Sequence, residues 1–211
     1  KLRNVKSEAQ NIIIEQKLLR SQMTPHFIFN SLSVLQGMIL NKEEKKAVSY
    51  LSKFSKLLRI ILENSRDKTV SLCQELTAVE NYLTLQNIEE SESYNYTVLV
   101  DDAIDKTQFK IPPMLIQPFI ENAIEHGLKN LNKKGLITID IQQRGDALSI
   151  EVKDNGLGMS NKTSSEHKKH QSHALVITKE RLKFLNKKRT KKIDFDIKSS
   201  IDNGTVISFQ I

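Results

Sequence analysis

The spacing of apolar residues changes part-way along the chain, and this change limits the folds that the chain can adopt. Up to about residue 85, apolar residues recur every three or four positions, which is the spacing of helices with one buried face. From residue 94 onward, short stretches alternate apolar and polar residues, as half-buried strands do. The sequence therefore predicts an all-α part, residues 1–90, followed by an α+β part, residues 91–211.

The all-α part is predicted to begin with a long helix. Over residues 2–23 the apolar positions alternate three and four apart, which favours a coiled-coil seam. Additional apolar residues beside that seam leave one helix of an intramolecular bundle as a second interpretation. The pair Thr24-Pro25 is expected to kink or restart the helix, because proline lacks an N–H donor and disfavours helical dihedral angles in the preceding residue.

The next two helices are predicted to pair with each other. Residues 27–39 and 47–62 each carry apolar side chains with helical spacing, and a polar turn separates them. An antiparallel hairpin with His26 at one end is therefore expected. A fourth helix is expected to begin at Ser71, where Gln74 three residues later completes a capping box.

The α+β part contains five predicted strands and two predicted helices. The strands are residues 94–100, 137–141, 148–152, 193–197 and 205–211, and the helices are residues 113–128 and 174–187. Gly145-Asp146 is expected to form the hairpin turn between the second and third strands. Mixed strands and helices in this order indicate an α/β sandwich.

The composition excludes several kinds of site. The single cysteine, Cys73, cannot form a disulfide within the chain or a cysteine-based metal site. The 32 basic and 25 acidic residues give a net charge of +7, which permits binding to phosphates, anionic lipids or nucleic acid without selecting among them. Because the chain lacks an aromatic-interleaved basic motif, direct nucleic-acid binding is not expected.

Hydropathy and the first residues of the chain bear on its cellular context. No run of eighteen or more uncharged apolar residues occurs, so no segment of this sequence is expected to span a bilayer. The sequence begins without methionine and already in helical spacing, and we therefore expect it to be part of a longer polypeptide. Any membrane anchor is expected to lie in segments outside this sequence.

A first polar motif lies at the start of the second predicted helix. It reads Pro25-His26-Phe27-Ile28-Phe29-Asn30. On a helix His26 and Asn30 share a face, so Asn30 could hold the imidazole tautomer or contact an incoming phosphate. An imidazole is a usable nucleophile near neutral pH, which makes both residues candidates for catalysis. The alternative is a surface or helix-capping histidine.

A second motif interrupts a strongly apolar predicted helix with polar residues. It reads Gln117-Pro118-Phe119-Ile120-Glu121-Asn122-Ala123-Ile124-Glu125-His126-Gly127. Its four charged or polar residues after Ile120 fall within two turns, where they could line one pocket. Asn122 and Glu125 supply oxygen atoms suited to hydrated Mg²⁺, which takes few protein ligands. Gly127 is expected to end the helix. The alternative is a core helix with a polar edge.

A third motif follows a predicted strand directly. It reads Asp154-Asn155-Gly156-Leu157-Gly158. An acid at a strand end can accept a hydrogen bond from the exocyclic amine of a purine, and the two glycines let the backbone approach a ligand closely. The alternative is an ordinary turn, and the order and spacing of the three motifs distinguish the two.

The three motifs together resemble a known superfamily. The second and third resemble the boxes of the GHKL nucleotide-binding superfamily, which includes histidine kinases, gyrase and mismatch-repair ATPases. The first resembles the Pro-His-Phe-(Leu/Ile)-Phe-Asn box of LytS-type sensor kinases. The resemblance covers residues 16–211. It implies a dimerising antiparallel helical hairpin or coiled coil, followed by a GHKL (Bergerat-type) α/β sandwich.

This resemblance implies roles for individual residues. His26 would be the phosphoacceptor, Asn122 the Mg²⁺ ligand and Asp154 the adenine contact, and His126 would lie near the phosphates. The residues implied to bind ATP are Asn122, Glu125, His126, Asp154, Gly156, Gly158 and Arg181.

The loop after the third motif is implied to be an ATP lid. It would comprise residues 157–173, with hinges at Gly156 and Gly158, and it is rich in Ser, Lys and His. The family's Gly-x-Gly-Leu turn before its last helix is replaced here by Ser172-His173-Ala174-Leu175. That replacement motivates the alternative function of a catalytically degenerate, kinase-like dimeric binding module.

The implied function is that of the cytoplasmic portion of a bacterial two-component sensor histidine kinase. With ATP and Mg²⁺, His26 would be autophosphorylated, and the phosphoryl group would pass to an aspartate of a response regulator, often one with a LytTR-type DNA-binding domain. The implied assembly is a homodimer, anchored at the inner membrane only through segments outside this chain. Because Phe27 and not an acid follows His26, a general base would be Asn30 or Glu121.

Overall fold

The computed structural model describes residues 25–64, 67, 69–89, 93–129, 131–145, 147–158, 193–200 and 203–211. Several predicted features lie outside those residues. They are the helix at residues 2–23, the lid beyond Gly158, the Ser172-His173-Ala174-Leu175 segment, the helix at residues 174–187 with Arg181, and the side chain of His26.

The predicted helical hairpin is confirmed. Helix α1 runs from Pro25–Leu40 and α2 from Glu44–Asn64, and the two pack together across a tight turn. In that turn the N–H of Asn41 donates to the carbonyl of Gly37 at 2.9 Å. The buried side chains of α2 recur every three or four residues along one face, as the sequence predicts. They are Ala47, Tyr50, Phe54, Leu57, Ile61 and Asn64.

Helix α3, Leu72–Glu89, joins the hairpin to the rest of the molecule. Its predicted capping box is confirmed, because the N–H of Gln74 donates to Ser71 Oγ at 3.2 Å and the N–H of Ser71 donates to Gln74 Oε1 at 2.8 Å. The ring of Phe27 in α1 packs against that of Tyr82 in α3, with ring centroids 5.3 Å apart. The residue after His26 is therefore a buried contact between α1 and α3.

The strands form one five-stranded sheet and one two-stranded sheet. The strands are β1 Val70–Ser71, β2 Tyr94–Val100, β3 Lys110–Ile111, β4 Gly135–Arg144, β5 Ala147–Asp154, β6 Asp194–Ser200 and β7 Gly204–Gln210. The larger sheet has the order β2-β4-β5-β7-β6, with β2 and β4 parallel and the other neighbours antiparallel. The five predicted strands are all present. The two-residue strands β1 and β3, which pair with each other, were not predicted.

One face of the large sheet is buried beneath helices. Alternate residues of β4 and β5 are buried, and the buried row of β5 runs from Leu148 to Asp154. The ring of Phe119 lies 5.3 Å, centroid to centroid, from that of Phe209 in β7. The hydroxyl of Tyr94 donates to the carbonyl of Leu83 in α3 at 2.8 Å. This helix-on-sheet layering agrees with the predicted sandwich. The domain boundary after residue 90 stays a prediction.

The helix predicted over residues 113–128 differs from the one observed. Helix α4, Gln117–Asn122, is preceded by a turn and continues as a π-helical segment, Ala123–Leu128. The turn includes Met114 at a φ of +54°, a left-handed conformation that costs a residue with a side chain on the order of 1 kcal/mol. Gly127 was predicted to end the helix, but it lies inside the π-helical segment. The lack of a side chain at Gly127 instead allows a close contact with Asp154.

Candidate functional site

The carboxyl group of Asp154 occupies the end of the buried row of β5. Its Oδ1 accepts hydrogen bonds from the N–H of Gly156 at 2.9 Å and from the N–H of Thr205 at 3.3 Å. Burial raises the pKa of Asp154, and the two backbone hydrogen bonds oppose that rise. Among the described residues, none hydrogen-bonds to Oδ2. One carboxylate oxygen is thus held by the fold and the other is left to accept a further donor.

Glycines surround Asp154 because the main chain passes it too closely for side chains. A Cβ on Gly127 would lie 2.8 Å from Asp154 Oδ1, and a Cβ on Gly156 would overlap the carbonyl of Gly127. The N–H of Leu157 donates to that same carbonyl at 3.0 Å. The end of the second motif and the loop of the third motif are therefore in direct contact. Sequence reasoning assigned Gly127 only to helix termination.

The two glycines predicted as lid hinges differ in their local constraints. Gly158 has a φ of +69°, and a Cβ there would overlap the carbonyl of Ser200. Gly156 is restricted by the carbonyl of Gly127 and not by its dihedral angles. Both positions require glycine for reasons of the fold, and their role as hinges stays a prediction.

Two residues that sequence reasoning did not assign also shape this loop. Asn155 bridges to the start of β4, accepting from the N–H of Leu136 at 2.7 Å and donating to the carbonyl of Lys134 at 3.3 Å. Gly204 has a φ of +77°, and a Cβ there would overlap the carbonyl of Asp154. Its position in Asp202-Asn203-Gly204 was the available signal, since such a turn favours positive φ.

Asn122 presents a buried oxygen that has no hydrogen-bond partner among the described residues. Its Nδ2 donates to the carbonyl of Pro118 at 2.7 Å, which fixes the orientation of the amide. Its Oδ1 is buried and makes no hydrogen bond within the described part of the chain. A buried carbonyl oxygen without a donor is costly, and a hard cation such as Mg²⁺ prefers such an oxygen. This atom fits the predicted magnesium ligand.

Glu121, next to Asn122, is buried, and its pKa is raised. Gln117 Nε2 donates to Glu121 Oε1 at 3.0 Å. Burial raises the pKa of Glu121 to about 8, the charge of Glu125 raises it further, and the Gln117 hydrogen bond opposes both. Glu125 and His126, one turn on, are exposed. The four polar residues predicted to line one pocket are thus split between the interior and the surface.

The predicted site residues form two groups that α3 connects. His26 and the exposed Asn30 belong to α1, whereas Asn122 and Asp154 lie in the sandwich. Within the residues described, no cluster of three or more His, Cys, Asp or Glu side chains could hold a metal. A shallow cavity of about 480 Å³ lies elsewhere, at the edge formed by β2 and β4.

Comparisons with known proteins identify the family. The family model described as histidine kinase matches residues 14–94, and the model described as histidine kinase-, DNA gyrase B-, and HSP90-like ATPase matches residues 113–211. The sensor protein LytS of Streptococcus mutans is 32% identical over 209 residues, covering 94% of this chain and 34% of the relative. The chain belongs to the LytS-type sensor histidine kinases.

Other relatives agree with this family. LytS of Staphylococcus epidermidis is 34% identical over 145 residues, 69% of this chain and 24% of the relative. Sensor histidine kinase YpdA of Escherichia coli is 31% identical over 149 residues, 70% of this chain and 26% of the relative. The histidine kinase domain of an Erythrobacter litoralis blue-light activated histidine kinase shares the fold, with a TM-score of 0.52 at 13% identity over 97% of this chain and 94% of that one.

This kinase segment is shorter than its curated relatives. It spans about a quarter of the S. epidermidis protein and a third of the S. mutans protein, 24% and 34% respectively. Within the described ranges, no helix has both the length and the hydropathy needed to cross a bilayer. The match over residues 113–211 is to an ATPase family, which implies ATP binding. The roles assigned to individual site residues stay predictions.

We expect Gly156→Ala to destabilise the kinase sharply. The added Cβ would overlap the Gly127 carbonyl and lie 2.7 Å from Asp154 Oδ1, and such overpacking costs about 1–3 kcal/mol. The control is Gly37→Ala in α1, where no atom lies within 4 Å of an added Cβ, and where alanine favours the helix. Urea unfolding measures both. Equal stabilities of the two variants would contradict the close approach of Gly156 to Gly127.

The buried Glu121 predicts a pH-dependent stability. Because its pKa rises from 4.5 to about 8 on folding, the folded protein retains a proton that the unfolded chain releases, and stability falls as pH rises between those values. Glu121→Gln should remove this loss and keep the Gln117 contact. In urea unfolding with EDTA, the variant should gain on wild type by up to about 1.4 kcal/mol per pH unit from pH 5 to 8. If the free energies of unfolding of wild type and Glu121→Gln changed equally with pH, the pKa of Glu121 would not be raised by folding.

Proposed function

We propose that the chain uses Mg·ATP to phosphorylate His26 and then transfers the phosphoryl group to an aspartate of a response regulator. The observation that supports this proposal concerns two oxygen atoms that belong to a helix and a loop in direct contact with each other. Asp154 Oδ2 and Asn122 Oδ1 each lack a hydrogen bond among the described residues, and Gly127 joins their elements. Asp154 Oδ2 can accept a hydrogen bond from an exocyclic amine, and Asn122 Oδ1 can bind a cation.

Adenine would bind at Asp154. A purine amine donates to Oδ2, while the N–H groups of Gly156 and Thr205 hold Oδ1 in place. Because Oδ1 is fixed before the ligand arrives, binding adenine does not have to order the carboxylate. Gly158 and the predicted lid beyond it would close over the phosphates together with Arg181.

Asn122 would hold Mg²⁺, with the remaining positions filled by water and phosphate oxygens. The metal, when bound, neutralises charge on the phosphate oxygens. The amide of Asn122 is oriented for this contact by its hydrogen bond to the Pro118 carbonyl. Glu125 and His126 lie one turn further along and are exposed, where they can contact phosphate or its water shell.

The phosphoryl step requires only a neutral imidazole in line with the γ-phosphate. A ring nitrogen of His26 attacks with its lone pair, the N–P bond forms, and the bond between the γ-phosphorus and the bridging oxygen breaks to release ADP. In the second step a regulator carboxylate attacks, the P–N bond breaks and an acyl phosphate forms. Asn30, one helical turn from His26, would orient the ring. Of the two candidates for accepting the ring proton, the amide of Asn30 does not titrate, and Glu121 accepts a proton only in its ionised form, which burial disfavours.

The segment is proposed to act as a homodimer in the bacterial cytoplasm, where ATP is available. The longer polypeptide would be anchored at the inner membrane, and a regulator of the LytTR type would be its partner, so that only the partner touches DNA. The alternative, a degenerate binding module, is favoured by Ser172-His173-Ala174-Leu175 at the position of the family's glycine turn. It predicts nucleotide binding without phosphorylation.

The dimer proposal rests on a second apolar face of the hairpin. Exposed apolar residues of α2 recur at Val48, Leu51 and Leu62, with exposed fractions of 66%, 44% and 53%. Helix α1 also exposes Phe29 and Ile39, at 65% and 61%. Exposed apolar residues that recur along helices are typical of interfaces, and helices with three-four spacing pair as bundles. A second copy would complete a four-helix bundle.

Incubation with γ-labelled ATP and Mg²⁺ tests the catalytic proposal. Wild type should acquire label that is lost in acid and kept in base, as a phosphohistidine requires, and His26→Ala should acquire none. Asn122→Ala should lose magnesium-dependent nucleotide binding with its circular dichroism unchanged. Label on His26→Ala would refute the acceptor role. ATP binding without label on wild type would support the binding module instead.

The dimer proposal predicts that Val48→Asp yields monomers. A charge buried at an apolar interface is costly, whereas at a solvated position it is not. The matched control is Ser49→Asp, the next residue of α2, which is exposed and polar already. Sedimentation equilibrium should show a dissociation constant at least tenfold higher for Val48→Asp and unchanged for Ser49→Asp. Equal dissociation constants for both variants would exclude this face as the interface.

A further inference from the structure

A carboxylate from α3 holds the segment that leads into α4. Glu75 is 1% exposed, and both of its oxygens accept backbone hydrogen bonds from residues far along the chain. Oε2 accepts from the N–H of Met114 at 2.7 Å, and Oε1 accepts from the N–H of Ile116 at 2.9 Å. Neither the sequence motifs nor the proposed catalytic steps assign any role to Glu75.

The segment that Glu75 holds has no local substitute for it. Ile116 is the N-cap of α4 and makes no side-chain cap hydrogen bond of its own. The first N–H groups of a helix have no partner within the helix, so the carboxylate of another helix supplies the acceptor. Met114 keeps its left-handed conformation at the same place. Glu75 therefore fixes both the position and the direction in which α4 begins.

From this anchor a short series of contacts reaches the proposed magnesium ligand. Pro118 follows the anchored Ile116 by two residues, and its carbonyl accepts the hydrogen bond from Asn122 Nδ2 at 2.7 Å. That hydrogen bond sets the direction of the unpartnered Asn122 Oδ1. A shift of the first turn of α4 would therefore move the oxygen that is offered to the cation.

Helix α3 also connects this anchor to the hairpin. Tyr82 lies two helical turns after Glu75 and contacts the ring of Phe27, the residue after His26. The same rigid helix thus contacts α4 through a carboxylate and α1 through an aromatic ring. The location of Asn122 is defined relative to the acceptor helix through Glu75.

We propose that Glu75 is a positioning residue for magnesium-dependent nucleotide binding, acting through the first turn of α4 on Asn122. This inference rests on the proposed function, in which Asn122 binds Mg²⁺. A carboxylate that only satisfied backbone donors would contribute to stability and leave the effect of magnesium on nucleotide affinity unchanged. The ratio of nucleotide affinities with and without magnesium therefore separates the two roles.

Glu75→Gln tests the proposal with little change of shape. Glutamine offers one acceptor, and its NH₂ group would face a backbone N–H, so one of the two hydrogen bonds is lost. The matched control is Glu80→Gln, the same chemical change at an exposed position of the same helix. Calorimetric titration of the 211-residue chain with the non-hydrolysable analogue AMP-PNP, in Mg²⁺ and in EDTA, gives the affinity ratio for each variant.

We expect magnesium to strengthen analogue binding in wild type and Glu80→Gln alike. In Glu75→Gln this enhancement should fall by about tenfold, as the loss of a charge-assisted hydrogen bond predicts, with the affinity in EDTA unchanged. Asn122→Ala should abolish the enhancement, and adding Glu75→Gln to it should produce no further loss. An unchanged enhancement in folded Glu75→Gln would overturn the proposal.

A second variant covers the case in which Glu75→Gln does not fold. Glu75→Asp keeps both oxygens on a shorter side chain, so the magnesium enhancement should fall by a smaller factor, and an enhancement equal to that of wild type would overturn the proposal. Failure of the proposed function gives a different pattern. If magnesium has no effect on wild type, or if Asn122→Ala keeps its enhancement, then Asn122 is not the ligand, whatever Glu75 does.

Discussion

Two main-chain segments meet around Asp154 so closely that only glycine fits at the contact. Gly127 lies against the Asp154 carboxylate, and Gly156 lies against the carbonyl of Gly127. The end of the π-helical segment and the loop after β5 are therefore in direct contact. The N–H of Leu157 closes the contact. This approach brings together two motifs that lie far apart in sequence, and the rest of the proposed nucleotide site depends on it.

The second constraint on the site is α3, which contacts both functional parts. Its buried face includes Glu75, which accepts hydrogen bonds from the segment leading into α4, and Tyr82, which packs on Phe27 beside His26, the proposed acceptor. Sensor kinases must relate a nucleotide site to a histidine on a separate helix. In this chain α3 lies between the two. It contacts the segment leading into α4 through the carboxylate of Glu75 and contacts α1 through the ring of Tyr82.

The sequence predicted those features that depend on local periodicity or on contiguous motifs. The hairpin, the capping box at Ser71 and the five main strands follow from spacing alone, and the resemblance led to Asn122 and Asp154. The features it missed depend on contacts across the chain. Strands β1 and β3 are too short for a periodic pattern, and the late start of α4 follows from a hydrogen bond to Glu75, about forty residues earlier. The residues next to Met114 and Gly127 in the sequence give no indication of their contacts with Glu75 and Asp154.

The second motif could have been a core helix with a polar edge, and its energetics argue against that interpretation. Within two turns the helix buries Asn122 Oδ1 and Gln117 Oε1 without hydrogen bonds in the described residues, and it raises the pKa of Glu121. Each unpaired group costs about 1–3 kcal/mol, which a core helix would avoid by using apolar residues. Strain and unsatisfied groups concentrate where ligands bind, because the ligand supplies the missing partner. The unpaired oxygens of Asn122 and Gln117 therefore favour the proposed ligand-binding role of this helix over a purely structural one.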